Sequence, residues 1–317
     1  MTDGSPSSGP SMSAVIAVAL PVFAIIAAGY FAARVAALGA DDAQALNRFV
    51  FRLAMPVALF GLAARTNPPG AADLGIASAY AAAAFAALFG GYFLSKTFFS
   101  LSSAEAGAHG FTSTLGNAVF LGLPIAMNID GWARPFIVLM LIEGTVVIAL
   151  GAALMATKEK GAGVIQNLTG ALRNPLVIGM AAGFVYSAVG LPLTGPAATF
   201  FDYLGRAAGP TALVSLGLFL ATHKFPAMGQ VAGRVSLIAA TKVGLLPVIA
   251  LGLAYFFGVS DPNYLGALAL FTFVPSGVVT FIMASQYGVY KTESAAAVLV
   301  TTLLSVLTIS SVLFYFA

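Results

Sequence analysis

Ten stretches of mostly apolar residues follow one another along the chain, separated by short polar connections. They cover roughly 13–33, 43–64, 74–96, 106–128, 133–156, 174–190, 202–221, 235–257, 262–287 and 294–316. About 20 apolar residues cross a bilayer as an α-helix. The pattern therefore predicts ten membrane-spanning helices, the sixth being the shortest. Two spans hold a proline deep inside, in similar surroundings. Pro124 ends Gly116-Asn117-Ala118-Val119-Phe120-Leu121-Gly122-Leu123-Pro124, and Pro275 lies in Phe273-Val274-Pro275-Ser276-Gly277-Val278-Val279. Proline removes a backbone N–H and clashes with the preceding turn. In lipid the freed carbonyls survive only where protein or a water-filled cavity receives them. Helices 4 and 9 are thus expected to be broken. Paired broken helices in two halves of a membrane protein point to a transporter's substrate site.

Composition agrees with a membrane location. Of 317 residues, 60% are hydrophobic and 8% charged, and the mean hydropathy is +0.97; a soluble domain carries about 25% charged residues. The fold class expected is an all-α integral membrane protein. A net charge of +3, scattered along the chain, gives no reason to expect nucleic acid. Without cysteine there is no disulfide and no thiolate metal site. Residues 1–12, rich in Ser, Gly and Pro, read as a disordered tail. They hold Asp3 but no Lys or Arg, so the basic start of a signal peptide is missing.

Charge also sets direction. Connections 1–2, 3–4, 5–6, 7–8 and 9–10, with nearby helix ends, hold Arg34, Arg48, Arg52, Lys96, Lys158, Lys160, Arg173, Lys224, Arg234 and Lys291. The other set holds Arg65, Arg134 and Arg206. The positive-inside rule places the richer set in the cytoplasm, so both termini are expected on the non-cytoplasmic side. Two groups of five helices, 13–156 and 174–316, then have opposite orientation. Pro21 and Gly29 match Pro175 and Gly183, and Pro56 matches Pro210, each pair 154 residues apart. Pro124 and Pro275 lie 151 apart. The expectation is one fold built from an inverted five-helix repeat.

Several short motifs, in order, resemble the auxin efflux carrier family, which includes plant PIN-type carriers and bacterial relatives. Leu46-Asn47-Arg48-Phe49-Val50 with Pro56, followed by Asn67-Pro68, is similar to the family's second helix. Asn117, Gly122 and Pro124 resemble its broken helix 4, and Arg173-Asn174-Pro175 the start of helix 6. Ser215-Leu216-Gly217-Leu218-Phe219-Leu220-Ala221 resembles helix 7. Pro275-Ser276-Gly277-Val278-Val279 and Ser285-Gln286-Tyr287-Gly288-Val289 resemble broken helix 9 and its exit. The resemblance implies an elevator-type carrier of small organic anions, distantly similar to bile-acid/sodium symporters. Helices 1, 2, 6 and 7 would form a scaffold, through which the protein would dimerise. Helices 3–5 and 8–10 would form the moving part, in the cell (inner) membrane. Helices 4 and 9 would cross at their prolines. Position by position, the implied pocket draws on Val50, Met55, Asn117, Val119, Ser276 and Val278. Leu176, Ser276 and a third span with no acid past Asp73 depart from the plant pattern and count against auxin itself.

The residues carry their own chemistry. The N-terminal ends of broken helices present free amides and a positive dipole end, a site for an anion. Asn117 can donate from its amide and Ser276 from its hydroxyl; each can equally serve the broken backbone instead. Gly122 and Gly277 fit a close crossing of two backbones. Glu143, in the middle of helix 5, is placed to carry a coupling proton, help hold a cation, or make a structural hydrogen bond. Lys242 can snorkel to the cytoplasmic interface, neutralise Glu143 or draw in anions. Arg52, one turn before Pro56, can snorkel or attract a second carboxylate. His109 and His223 have no partners at metal-ligand spacing, so no metal is assigned. Trp132, Tyr30 and Tyr203 read as interfacial anchors, and the Ala-rich run 79–87 with Gly90-Gly91 as a close-packing face.

The function expected is secondary transport of a small organic anion, a mono- or dicarboxylate such as malonate, malate or an auxin-like acid. There is no Cys nucleophile, His-Glu metal motif or G-x-S-x-G elbow for an enzyme, and no G-x-x-x-x-G-K-[ST] for ATP. No cofactor is expected beyond a coupling ion, H⁺ or Na⁺. The alternative is a membrane sensor that binds the anion without moving it.

Overall fold

In a computed structural model the protein is described over residues 12–66, 70–156, 173–223 and 228–317. The tail apart from Met12, Asn67-Pro68, Lys158, Lys160 and Lys224 lie outside the described residues. Everything described is helix and connection, with one isolated β-bridge and no strand. Among the described residues, six helices are long and apolar enough to cross a membrane: Ala40–Ala64, Ala71–Phe99, Ala133–Met155, Gly195–Thr222, Val231–Phe256 and Lys291–Phe316. In the order of the expected spans these are helices 2, 3, 5, 7, 8 and 10. Helix 1 is Met12–Arg34 and helix 6 is Pro175–Ala188.

Helices 4 and 9 are each interrupted. Helix 4 runs over Ser103–Thr112, opens, and resumes through Ala118–Gly122 and Leu123–Ala126. Helix 9 runs over Pro262–Phe273 and resumes at Val278–Tyr287. Local chemistry fixes their starts. Ser102 accepts from the Glu105 N–H while Glu105 accepts from the Ser102 N–H, a reciprocal cap on two orphan donors. Asp261 caps helix 9 by accepting from the Asn263 N–H at 2.8 Å, with Pro262 in the first position.

Among the described residues, four helices contain a widened π turn: Val50–Ala54, Ala118–Gly122, Glu143–Val147 and Thr241–Leu245. Three of them end two residues before a proline, Pro56, Pro124 or Pro247. A proline ring clashes with the carbonyl four residues back, and the extra residue in a π turn moves that carbonyl aside. Pro124 therefore does not break its helix. It is exposed, inside the resumed limb. The opening of helix 4 lies earlier, at 113–117, so the expected crossing at Pro124 is corrected to Gly116-Asn117.

Close packing sets which helices pair. Helix 1 packs chiefly on helix 7 and helix 6 on helix 2, with Gly29 against the Val214 backbone and Gly183 against Phe60. Helix 3 lies against helices 4 and 8. Ala79, Ala83, Ala84 and Ala87 are buried there, and Gly110 touches the Leu88 backbone. Ion pairs fasten the helix ends. Buried Asp73 accepts from Arg134 (3.0 Å) and Tyr264 (2.9 Å), joining the starts of helices 3, 5 and 9. Arg234 and Glu293 join helices 8 and 10 at 2.6 Å. Trp132 is no interfacial anchor. It is 1% exposed and packs against Gly266 of helix 9, because its indole fills the space a glycine leaves.

Candidate functional site

The two openings meet back to back. Gly116 and Ser276 form an antiparallel bridge, in which the Asn117 N–H donates to the Pro275 carbonyl at 2.7 Å and the Gly277 N–H to the Leu115 carbonyl at 3.0 Å. A Cβ on Gly277 would stand 2.6 Å from the Gly116 oxygen, so only glycine allows this approach. Several other freed groups are satisfied by side chains, which buried backbone needs. The Ser276 hydroxyl donates to the Thr112 carbonyl (2.9 Å) and the Ser276 N–H to the Thr301 hydroxyl (3.0 Å). The Thr308 hydroxyl reaches the Phe273 carbonyl at 3.2 Å.

The two buried ionisable residues serve the same end. Glu143 accepts from the Gly116 N–H at 2.8 Å and from the Tyr80 hydroxyl at 3.0 Å. Lys242, 1% exposed, donates to the Thr272 carbonyl at 3.0 Å. It does not snorkel. The carboxylate sits at the amide end of a half-helix and the ammonium at the carbonyl end of another, as the helix dipoles favour. A Cβ on Gly116 would lie 3.4 Å from Lys242 Nζ and 3.7 Å from Glu143 Oε1. Both charges therefore flank one glycine at the crossing.

Two cavities adjoin it. A small one, about 40 Å³, is lined by Met55, Leu59, Ala118, Val119, Glu143 and Val279 among others. The second, about 370 Å³, opens as a vestibule between helices 2 and 7 and the resumed limb of helix 4. It shares Met55, Leu59, Leu62 and Val119 with the first. The amides of Ala118, Val119, Val278 and Val279 have no protein partner, and three of these residues line the small cavity. The vestibule has the size of a small-molecule site; the small cavity holds little more than water.

The expected site residues divide accordingly. Met55 and Val119 line both cavities. Asn117 is 4% exposed and its carboxamide has no hydrogen bond to protein, so it is not needed to satisfy the break. Ser276 is fully buried and its proton is engaged. Val50 and Val278 are buried away from both cavities, and Val279 takes the lining position. Gly122 packs against Phe136 and Val274, while Gly277 forms the crossing with Pro275. Arg52 is exposed and lines neither cavity. Sequence reasoning missed Tyr80, Thr272 and Thr301. It also missed Arg65, Asp202 and Arg206 on the vestibule wall, whose signal was arginine on the arginine-poor side.

A many-helix membrane protein with two opened helices crossing beside a vestibule has the architecture of a membrane transporter. The profile of the membrane transport protein family matches residues 14–313, and the chain belongs to that family, the auxin efflux carrier type that its motifs resemble. It is 30% identical over 318 residues to a Rhizobium meliloti (strain 1021) protein named "Putative malonate transporter", covering 96% of each chain. It is 24% identical to an "Uncharacterized transporter" of Methanothermobacter thermautotrophicus, over 92% of this chain and 94% of that one. To the "Uncharacterized transporter YfdV" of Escherichia coli (strain K12) it is 25% identical, over 90% and 92%. The protein is thus a multi-pass membrane transporter and not an enzyme.

Proposed function

We propose that the protein is a secondary carrier of small carboxylates, with malonate the first substrate to try. The observation that carries this reading is the crossing itself. Four unpartnered amides at two half-helix starts and the free carboxamide of Asn117 gather where helices 4 and 9 meet. Such donors hold a carboxylate without a fixed cation, and an anion held that way can leave again. The malonate name of the Rhizobium meliloti relative points to the same substrate class.

The carrier works as an elevator in this reading, on an inverted repeat of five helices. Support comes from the packing: helices 1, 2, 6 and 7 lie chiefly on one another, and helices 3–5 with 8–10 form the other group. Helix 1 on helix 7 and helix 6 on helix 2 are the pairs that an exchange of the two halves would interconvert. The first group is the scaffold and dimer contact, and the second carries the crossing. Both termini face away from the cytoplasm of the inner membrane. Glu143, beside Lys242 and facing the small cavity, is the place for a coupled H⁺; Na⁺ is the other ion to vary. An anion leaving a cell negative inside gains about 2.3 kcal/mol per charge at 100 mV, so export runs downhill without ATP.

The test is uptake of labelled malonate, malate and indole-3-acetate into proteoliposomes, with voltage, Na⁺ and pH set independently. Saturable flux of one anion is expected. Absence of flux under every gradient, with binding retained, overturns the carrier reading in favour of a sensor.

A further inference from the structure

Three arginines, Arg65, Arg134 and Arg206, mark the end of the molecule onto which the vestibule opens, and two of them are neutralised. Arg134 is held by Asp73 at 3.0 Å. Arg65 gives one guanidinium nitrogen to Asp202 at 2.6 Å and another to the Ala198 carbonyl at 3.1 Å. Arg206 follows Asp202 by one turn of helix 7, the spacing at which opposite charges on a helix pair. It does not pair: Asp202 turns instead to Arg65 of helix 2, and Arg206 has neither ion pair nor hydrogen bond. Arg206 nevertheless lines the vestibule, whose other walls are apolar apart from Arg65 and Asp202. One uncompensated positive charge in a cleft with low-dielectric walls concentrates anions there.

We infer that Arg206 is the capture site for a carboxylate approaching from this face, the first contact of a small dicarboxylate before it reaches the crossing. The assignment of a dicarboxylate rests on the carrier reading above; the anion site itself rests on charge and geometry. Arg65 is a positioning residue, because by holding Asp202 it keeps that carboxylate from cancelling Arg206.

The chain has no cysteine, so a single Leu62→Cys on the vestibule wall serves as reporter. Its rate of modification by an anionic sulfonatoethyl methanethiosulfonate is compared with that of the cationic trimethylammonium reagent. The anionic-to-cationic ratio is expected to fall about tenfold with Arg206→Gln and to persist with Arg206→Lys. Malonate slows modification in the parent but not in Arg206→Gln. An unchanged ratio, or equal protection by malonate in both, overturns the capture site whatever the flux. In proteoliposomes, KM for malonate presented at this face rises about fivefold with Arg206→Gln while kcat stays within about twofold, and the monomethyl ester is affected less. Absence of flux of malonate, malate and indole-3-acetate alike in the parent ends the carrier reading but leaves the reporter ratio to decide Arg206.

Discussion

The two openings reach the same geometry by different means. Helix 9 opens at Pro275, a residue that cannot donate a helical hydrogen bond. Helix 4 opens at Gly116-Asn117 with no proline, and the proline it does have, Pro124, lies seven residues later and is absorbed by the intervening π turn. What the openings share is partners. Apart from the four amides at the starts of the resumed limbs, the freed groups described above find Glu143, Lys242, Ser276, Thr301, Thr308 or the backbone of the opposite opening. In lipid the acceptor and donor supply, more than the helix breaker, decides where a helix can stay open.

This comparison can be broken by experiment. Removing a shared partner should hurt most. Glu143→Leu leaves the Gly116 N–H and the Tyr80 hydroxyl unpaired, each costing about 1–3 kcal/mol. Unfolding in mixed micelles should reveal the summed loss; unaltered stability would show that helix 4 stays open without its acceptor. Glu143→Gln keeps an acceptor oxygen, so it should unfold near the parent yet lose any dependence of flux on pH. Crowding the crossing comes next. Gly277→Ala drives a methyl into the Gly116 carbonyl and should cost about 1–3 kcal/mol, with flux at least tenfold lower. Parental flux would mean that the backbones need not touch.

Asn117→Ala separates substrate from structure. With no hydrogen bond to lose, stability should shift by less than about 0.5 kcal/mol, while carboxylate affinity measured by thermal shift falls about tenfold. Unchanged affinity removes Asn117 from the site. Smallest of all should be Pro124→Ala. If the proline is only tolerated by its π turn, transport stays within about twofold; a dead carrier would restore Pro124 to the crossing.

Much of this was legible in the chain. Apolar length gave the long helices, and Pro275 marked one opening to the residue. Pro124 misled because a proline is visible in sequence, whereas the π turn that accommodates it is not. For Lys242 the chain left open an interface reached by snorkelling or a place beside Glu143, and distance from a helix end could not choose between them. Its burial depends on the Thr272 carbonyl, exposed only by the opening of helix 9. Trp132 read as an anchor by position, and only Gly266, far along the chain, provides its slot. Asn117 was singled out as a carboxamide beside a break, and it does stand at the opening of helix 4. Arg206 entered only as a count toward orientation, since its lack of a partner depends on Arg65 drawing Asp202 away.

The π turns carry a consequence for how this chain can vary. One residue is 100° of rotation at 3.6 residues per turn. A π turn absorbs one extra residue, so deleting a single position within Val50–Ala54 would restore regular winding and keep Met55 and Leu59 on the cavity wall, whereas deleting one between Ala40 and Phe49 and leaving the π turn intact would turn Ala43 and Asn47 away from Ser215. The span would remain long enough to cross the bilayer, and its hydropathy would hardly change. Within these helices, the number of residues is itself inherited information about which face looks at the substrate. Relatives that lack the extra residue of a π turn should keep the same lining face, whereas a one-residue change outside such a turn should alter what they carry.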